Sequence, residues 1–501
     1  MSSNPVLAQE VAYGISWGAP NGHYFDIEMR FQNPEQGPVS VRMPEWRPGR
    51  YIMQNYAKNI IRFAAVDGEG ASLNFEKTDK GTWRIDAGPG QEVVVTYQAY
   101  SHDDDAGSSY LDDHKAYINP ITMLMYLPGH ELMPTSLSVK KPADWKTATQ
   151  LVMDETRNVY VSENYHELVD GPLMISPDLE MSSFEFAGAT FEVAILGHAD
   201  LDMPQLLSDL QKIAEVESNL VGVIPFDRYV FLYQFFDRRA GHAVEHKNSS
   251  EYILGPASAP GLQGHILSVS AHELFHAWNV ERIRPEAIYH ADYSSEQYTT
   301  TMWIYEGITS YYASVALVRA GLITEEAFLG RLAGSIKAFE TSYGKDITSI
   351  AMSSWDSWTK SDGKAPPDTY YSFYTAGDIM GLLLDMEVRG RTRNRQSLDS
   401  AMQYLYQEYA ARHRGVPEDG LQRAIETITS GTMQPFFDSY IFGTEPIDYD
   451  KYLYYAGYQL EVGVDPALPP VWLGIELVEG KDAVVIKTVH PETPAFKAGL
   501  D

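Results

Sequence analysis

Residues 265–278 read H-I-L-S-V-S-A-H-E-L-F-H-A-W and carry the strongest signal in this chain. Apolar side chains fill most of the stretch, which predicts a buried helix, and His272, Glu273 and His276 form the pattern H-E-x-x-H within it. Residues four apart share one face of a helix, so both imidazoles can bind one metal ion. Glu273 lies one step round the helix, where it can act as general base towards a water on that metal.

Glu306 is the best candidate for a third ligand, because a catalytic zinc site usually has three protein ligands and one open position. It lies in W-I-Y-E-G-I-T-S-Y-Y, residues 303–312, within a predicted apolar helix from about Glu296 to Ala320. A carboxylate in such a helix needs a positive partner, and zinc supplies one. Glu281 and Glu296 lie in more polar settings. Glu281 also stands beside two arginines, which suggests a surface or interdomain ion pair.

The pattern H-E-x-x-H followed by W-x-x-E-G resembles the gluzincin zinc peptidases, the group that includes thermolysin and aminopeptidase N. The string from His272 to Pro285, H-E-L-F-H-A-W-N-V-E-R-I-R-P, resembles the glycyl aminopeptidase family within that group. The resemblance implies an aminopeptidase with one Zn²⁺ per chain, a thermolysin-like two-lobed catalytic domain and a PDZ domain after it. It also implies a preference for small N-terminal residues such as glycine or alanine.

A second segment resembles the part of these enzymes that binds the substrate N-terminus. Residues 241–246, G-H-A-V-E-H, are similar to G-x-M-E-N of aminopeptidase N and to the G-G-L-E-H version of this family. In such enzymes the glutamate of an edge strand receives the free α-amino group. By that match Glu245 binds the substrate ammonium through a charge-assisted hydrogen bond, with Gly241 and His246 in the same substrate-binding segment. An exposed acidic turn after a strand is the alternative.

Tyr374 is the candidate that would stabilise the oxyanion. It opens Y-T-A-G at residues 374–377, which resembles the Y-x-K-G step of aminopeptidase N relatives, although alanine replaces the usual lysine. A phenol aimed where negative charge develops lowers the barrier. Because the chain contains 33 tyrosines, Tyr370 and Tyr371 remain as fallbacks, and a packing role for all three is the alternative.

The composition limits the classes of binding partner and of chemistry that we expect. The 501 residues carry a formal net charge of −30, which argues against binding to nucleic acid or to an anionic membrane. The absence of cysteine excludes disulfides, thiolate zinc sites and cysteine nucleophiles. The start, Met1–Pro5, lacks a signal-peptide pattern, and no run is long enough to span a bilayer. We therefore expect a soluble cytoplasmic enzyme acting on peptides, although a periplasmic or secreted enzyme with a replaced leader would look the same. The oligomeric state is not indicated.

The length and patterning predict an α+β chain of three domains. Residues 1–170 alternate as short strands and predict a β-sandwich-like domain, and residues 171–457 predict the zinc peptidase domain. Residues 458–501 resemble the start of a PDZ domain, with Trp472–Ile475 at its carboxylate-binding loop. A whole PDZ domain has roughly ninety residues, so this one is incomplete. The acidic cluster Asp103–Asp105 is expected to be a solvated loop.

Two other functions remain open from the residues alone. A thermolysin-type endopeptidase would share the metal site without needing the ammonium-binding glutamate. A non-catalytic peptide-binding or scaffold protein would use the PDZ module, although the intact H-E-x-x-H and Glu306 weigh against it. For the motif itself, the alternative is a pair of core histidines satisfied by their neighbours. A substrate with a blocked N-terminus separates the first alternative from an aminopeptidase.

Overall fold

The computed structural model describes residues 10–360, 369–463, 473–479, 483–490 and 493–500. Met1–Pro5 and Trp472, which entered the sequence predictions, lie outside these ranges. Two compact units make up the chain, the first holding most residues up to Tyr298 and the second most residues from Thr299 onward. Within the described ranges, none of the helices combines the length and hydrophobicity that crossing a membrane would need. The three predicted domain boundaries stay a prediction.

The chain begins with a β-rich region, as its alternating pattern predicts. Its strands are β1 Val11–Ser16, β2 Tyr24–Gln32, β3 Val39–Arg42, β4 Ile60–Asp67, β5 Phe75–Lys77, β6 Thr82–Ile85, β7 Glu92–Tyr100, β8 Tyr110–Leu111, β9 Ala116–Ile118, β10 Thr135–Lys140, β11 Lys146–Thr149, β12 Val152–Asp154, β13 Val159–Ser162 and β14 Leu173–Ser176.

These strands form three sheets around a shared apolar core. The orders are β12-β13-β10-β1-β2-β7-β4, β11-β14-β9-β8 and β3-β6-β5. Along β2 every second residue is buried, from Phe25 to Phe31, because alternate side chains of a strand point to opposite faces. Residues of all three sheets belong to one hydrophobic cluster, which explains why the alternating segments collapse together.

In the first unit, a five-stranded sheet follows the short helix α1 Tyr165–Val169. Its strands are β15 Glu180–Phe186, β16 Ala189–Leu196, β17 Arg228–Phe235, β18 Ala240–His246 and β19 Ser249–Gly255. The order is β15-β16-β17-β19-β18, with β16, β17 and β19 parallel and β18 antiparallel to β19. β18 is therefore an edge strand, as predicted for the segment that contains Glu245.

Two helices cover this sheet and position the H-E-x-x-H motif. Helix α2, Met203–Val221, connects the parallel strands β16 and β17, and helix α3, Leu262–Phe275, carries the motif. α3 packs against α2, β18 and β19. Its apolar residues Ile266, Leu274 and Phe275 are fully buried, which confirms the predicted buried helix.

The second half of the chain is mainly helical. The helices are α4 Ile308–Arg319, α5 Glu325–Glu340, α6 Ile350–Trp355, α7 Ser357–Lys360, α8 Phe373–Thr392, α9 Leu398–Glu408, α10 Gly420–Thr429, α11 Gln434–Phe436, α12 Tyr449–Leu453 and α13 Pro494–Lys497, with strands β20 Ile475–Glu479 and β21 Val484–Val489. Shorter turns are 3₁₀ at Pro20–Gly22, Tyr56–Asn59, Pro120–Thr122, Glu286–Ile288, Tyr343–Asp346, Ala410–Arg412 and Tyr454–Ala456, and π-helical at Trp303–Gly307 and Phe437–Ile441.

The helix predicted from about Glu296 starts later. Residues 296–301 are not helical, and the π-helical turn at Trp303–Gly307 leads directly into α4. The physical reason is a competing set of hydrogen bonds, since Thr299 and the backbone N–H of Thr300 both donate to the Glu418 carboxylate. Because Thr299 and Thr300 are bound to Glu418, their backbone does not join the hydrogen-bond pattern of the helix.

A close approach of two glycines fixes the π-helical turn against α8. A Cβ on Gly307 would overlap the backbone of Gly377, and a Cβ on Gly377 would overlap the Trp303 carbonyl and Gly307. Only glycine permits this distance between the two backbones. The glycine that ends the W-x-x-E-G motif and the glycine of the Y-x-x-G step therefore meet each other.

We expect Gly377→Ala to destabilise the protein, because the added methyl forces the π-helical turn away from α8. Overpacking of this kind costs about 1–3 kcal/mol. The measurement is the thermal unfolding midpoint by calorimetry. Gly334→Ala in α5 is the matched control, since a Cβ there meets nothing within 4 Å and alanine favours a helix. Equal midpoints for the two variants would contradict the close approach.

Candidate active site

The motif residues lie at the C-terminal end of α3. His276 is 1% exposed and Glu273 is 7% exposed, while His272 is half-buried. The helix ends at Phe275, and His276 keeps helical dihedral angles as the following residue. The i, i+4 spacing therefore holds across the helix end, and the two imidazoles face the same side.

The hydrogen bond of His276 determines which ring nitrogen can bind a metal. Its Nδ1 lies 2.8 Å from the carbonyl oxygen of Asn279. A carbonyl oxygen only accepts, so Nδ1 carries the proton and donates it. Nε2 is then left with a lone pair, which is the arrangement found for metal-binding histidines.

The donor atoms are as close as a shared zinc ion requires. Nε2 of His272 and Nε2 of His276 are 3.1 Å apart, and the ligand atoms of His272, His276 and Glu306 all lie within 4.8 Å of one another. Two nitrogens bound tetrahedrally to zinc at about 2.05 Å would be about 3.3 Å apart. Two imidazoles and one carboxylate are also the donor set of many catalytic zinc sites. The residues present therefore fit Zn²⁺.

Glu306 is buried, at 2% exposure, in the π-helical turn at Trp303–Gly307. π-helical turns are rare and often occur at functional sites, since they turn a side chain out of the ordinary helical register. The two other glutamates considered behave differently. Glu296 is exposed, and Glu281 forms a 2.8 Å ion pair with Arg284. The predicted ion pair of Glu281 with a neighbouring arginine is therefore present, with the Glu281 side chain largely buried and that of Arg284 partly exposed.

Glu245 lies next to the motif. The ligand atoms of Glu245, Glu273 and His276 lie within 4.8 Å of one another. Along β18 the side chains alternate, so Glu245 and its neighbour His246 leave the strand on opposite faces. His246 is buried at 5% exposure, and its Nδ1 lies 3.0 Å from Asp170. Gly241 is exposed and sits opposite Leu254 near the start of the strand.

The β-rich region holds this edge strand in place. Asp105 pairs with His242 at 3.1 Å, and Asp170 pairs with His246. A Cβ on Gly49 would lie 2.8 Å from Oε2 of Glu245, so that backbone comes close to the carboxylate. Gly49 adopts a φ of +76°, which also favours glycine.

The acidic cluster Asp103–Asp105 is solvated only in part: Asp103 is exposed, as predicted, whereas Asp104 and Asp105 are partly exposed and paired. Asp104 forms an ion pair with Lys115 at 2.8 Å, and Asp105 pairs with His242. Burial alone would raise the pKa of Asp105, but the close approach of His242 lowers it well below its usual range. The partners come from segments distant in sequence, so local polarity could not reveal them.

Tyr374 is the second residue of α8 and is 38% exposed. Its ring stacks on Phe373 at 5.0 Å between centroids. Tyr371, one of the fallbacks, is buried and donates its hydroxyl to the Thr348 carbonyl at 3.0 Å, which indicates a packing role. Tyr370 is half-buried, in the segment before α8. Of the three tyrosines, Tyr374 is the most accessible to a substrate.

Sequence reasoning missed one buried carboxylate near the motif. Glu217 in α2 is fully buried, burial raises its pKa well above the usual range, and His276 acts in the opposite direction. Neither of its oxygens has a hydrogen-bond partner among the described residues. The sequence did contain a signal for this burial, because Glu217 lies on the same helix face as the apolar residues Leu210, Ile213 and Ala214.

Comparisons with known proteins agree with this geometry. Residues 12–177 match the Peptidase M61 N-terminal domain, and residues 265–380 match the M61 glycyl aminopeptidase domain. A crystal structure of an aminopeptidase N family protein from Idiomarina loihiensis has a TM-score of 0.91 at 25% identity, covering 98% of this chain and 88% of that chain. An M1 zinc metallopeptidase from Deinococcus radiodurans has a TM-score of 0.51 at 11% identity, covering 84% of this chain and 90% of that chain. No curated protein sequence matches the chain.

The fold and the family match together define a metallopeptidase. The chain belongs to the M61 glycyl aminopeptidase family, as the motif resemblance predicts. It is an enzyme, a zinc metallo-aminopeptidase that hydrolyses peptide bonds.

We expect His276→Ala to abolish zinc binding, because the fixed Nε2 donor is lost. The measurement is zinc content by mass spectrometry after gel filtration, with about one ion per chain in the wild type. His265→Ala is the matched control, since His265 is exposed at the other end of the same helix. Equal zinc content in both variants would rule out His276 as a ligand.

Proposed function

We propose that the enzyme removes single residues from the N-termini of peptides, with His272, His276 and Glu306 holding one Zn²⁺. The observation that carries the proposal is the group of Glu245, Glu273 and His276, whose ligand atoms lie within 4.8 Å of one another. A substrate ammonium on Glu245 would then bring the first peptide bond to the motif.

Each residue has a distinct role in the proposed reaction. Zinc, when bound, polarises the scissile carbonyl and lowers the pKa of the attacking water. Glu273 accepts the proton of that water and passes it to the leaving amine. Glu245 receives the substrate ammonium, which rejects internal peptide positions because they lack this charge. Tyr374 donates a hydrogen bond from its phenol to the developing oxyanion.

Relatives support peptides as substrates. One M1 zinc metallopeptidase from Deinococcus radiodurans was crystallised with the peptide Tyr-Ser-Ala, at 12% identity to this chain. The preference for glycine or alanine rests on the family resemblance. The thermolysin-like two-lobed layout stays a prediction.

Three local features are consistent with a PDZ-like C-terminal segment. β20 and β21 form an antiparallel pair, and the N–H of Ala495 donates to the carbonyl of Leu473. Gly474 has a φ of +80°, as a tight turn next to such a strand requires. We propose that these residues begin a PDZ-like module, and we assign them no peptide-binding role.

We expect glycyl- and alanyl-p-nitroanilide to be hydrolysed, and their N-acetylated forms to be resistant. Glu273→Gln should lower kcat by about 10²–10⁴-fold, because the general base is lost. Glu296→Gln makes the same change at an exposed site and is the control. Cleavage of the acetylated substrates at a similar rate would indicate an endopeptidase. If the zinc-loaded wild type hydrolysed none of a broad panel of aminoacyl substrates, the proposal would be rejected.

Glu245→Gln tests the ammonium site separately. Loss of one charge-assisted hydrogen bond should reduce kcat/KM for free-amine substrates by roughly 10–100-fold. Zinc content should stay at the wild-type level, since Glu245 is not a proposed ligand. If kcat/KM were unchanged, Glu245 would not receive the ammonium.

A further inference from the structure

Arg282 follows the H-E-x-x-H motif by six residues, and the proposed mechanism assigns it no role. Its side chain is half-buried, and its guanidinium donates four hydrogen bonds. Nη1 donates to the carbonyl oxygens of Ala277 at 2.7 Å and of Lys247 at 2.8 Å. Nη2 donates to the carbonyl oxygen of Pro225 at 3.0 Å and to Oδ1 of Asn248 at 2.7 Å. One guanidinium therefore connects three separate segments of the first unit.

Two of these acceptors lie next to residues of the proposed site. Ala277 directly follows His276, and Lys247 comes two residues after Glu245. Both carbonyls accept from the same nitrogen, Nη1, which has one hydrogen for each of them. The ligand atoms of Glu245 and His276 lie within 4.8 Å of each other, and this link holds the backbone beside one residue to the backbone beside the other.

Other hydrogen bonds order each of the two segments by itself. In the turn that follows β18, the N–H of Lys247 donates to the Asp170 carboxylate at 2.8 Å. In the loop after the motif, the N–H of Glu281 donates to the His276 carbonyl at 3.0 Å. These bonds act within the loop, or between the turn and the β-rich region, whereas Arg282 joins the turn to the loop.

The bonding of Arg282 differs from that of its neighbour Arg284. Arg284 pairs with Glu281 at 2.8 Å, but across the described ranges no carboxylate lies within ion-pair distance of Arg282. Carbonyl and amide oxygens carry only partial charges, so a partly buried guanidinium held by them alone is costly to the folded state. A costly polar group with a full set of directed partners is typical of a functional position.

We infer that Arg282 is a positioning residue, which sets the distance between the ammonium-binding carboxylate of Glu245 and the metal site at His276. The inference rests on the proposed function. In a substrate, the ammonium nitrogen and the scissile carbonyl carbon are joined through a single carbon atom, so the groups that bind them must keep one separation. A misplacement of about 1 Å at an active site can lower a rate by about 10²-fold.

The test is a double-mutant cycle of Arg282→Ala and Glu245→Gln, with kcat and KM for alanyl-p-nitroanilide measured at saturating zinc. We expect Arg282→Ala to lower kcat/KM by roughly 10–100-fold, with a rise in KM. In the Glu245→Gln background the same substitution should cost much less, because the carboxylate that it positions has already been removed. Arg84→Ala, at an exposed position of β6, is the matched control and should keep the wild-type values.

Chemical rescue separates positioning from general destabilisation. Arg282 lines a cavity of about 600 Å³, so removal of its side chain leaves space that a guanidinium ion can enter. Guanidinium chloride, at concentrations too low to unfold the protein, should restore part of the activity of Arg282→Ala, and sodium chloride at equal ionic strength should not. Arg282→Lys should stay impaired, because a single ammonium nitrogen cannot reach acceptors placed around a planar fork.

Two further measurements keep the inference testable in case Arg282→Ala does not fold. Asn248→Ala removes one acceptor of the same guanidinium, and it should give a smaller loss of kcat/KM in the same direction. Hydrogen–deuterium exchange of the zinc-free protein, followed by mass spectrometry, should rise in both 240–248 and 277–283 in this variant. Exchange in those two segments should not change in Arg84→Ala.

The outcomes distinguish the inference from the proposed function. If Arg282→Ala lowers kcat/KM by the same factor with and without the Glu245 carboxylate, the inference is overturned and the aminopeptidase function stands. Wild-type kcat/KM in Arg282→Lys would overturn it in the same way. If the wild type cleaves no free-amine substrate, the proposed function fails, and the inference fails with it.

Discussion

The cost of burying charged and polar groups around α3 is the constraint on which this structure depends. His276, Glu273 and Glu306 are each less than 10% exposed, in a setting that is otherwise apolar. Without partners such groups would destabilise the folded state by several kcal/mol. In the proposed site, a cation held by two imidazoles and a carboxylate would offset that cost, so that the folded site and the metal would stabilise each other.

Backbone details hold those groups in place. The Asn279 carbonyl fixes the tautomer of His276, and the close approach of Gly307 to Gly377 fixes the π-helical turn that carries Glu306. Glycine is therefore required at both positions for this packing. The two glycines bring together the backbone of the W-x-x-E-G motif and that of the helix beginning near Tyr374, which a side chain at either position would separate.

The edge strand β18 depends on the β-rich region in a similar way. An edge strand has one free side and would otherwise be poorly constrained. His242 and His246 are tied to Asp105 and Asp170, and the Gly49 backbone lies close to Glu245. The N-terminal region thus helps to position the edge strand that carries Glu245.

Sequence reasoning succeeded where the signal is local. The i, i+4 spacing of His272 and His276 needs only a helix, and the alternation of β2 needs only a buried face. It failed where a partner distant in sequence decides the outcome. Glu418 delays the start of the helix predicted from Glu296, and His242 pairs with Asp105 from a strand more than a hundred residues away.

By itself, then, the sequence determined the zinc chemistry, the family and the order of strand-rich and helical parts, because spacing along one helix or strand carries that information. Only the tertiary structure decided the pairing of Asp170 with His246 and the burial of Glu217 beside His276. These features join segments that are tens of residues apart. No local period records such contacts, since they arise from packing after the elements have formed.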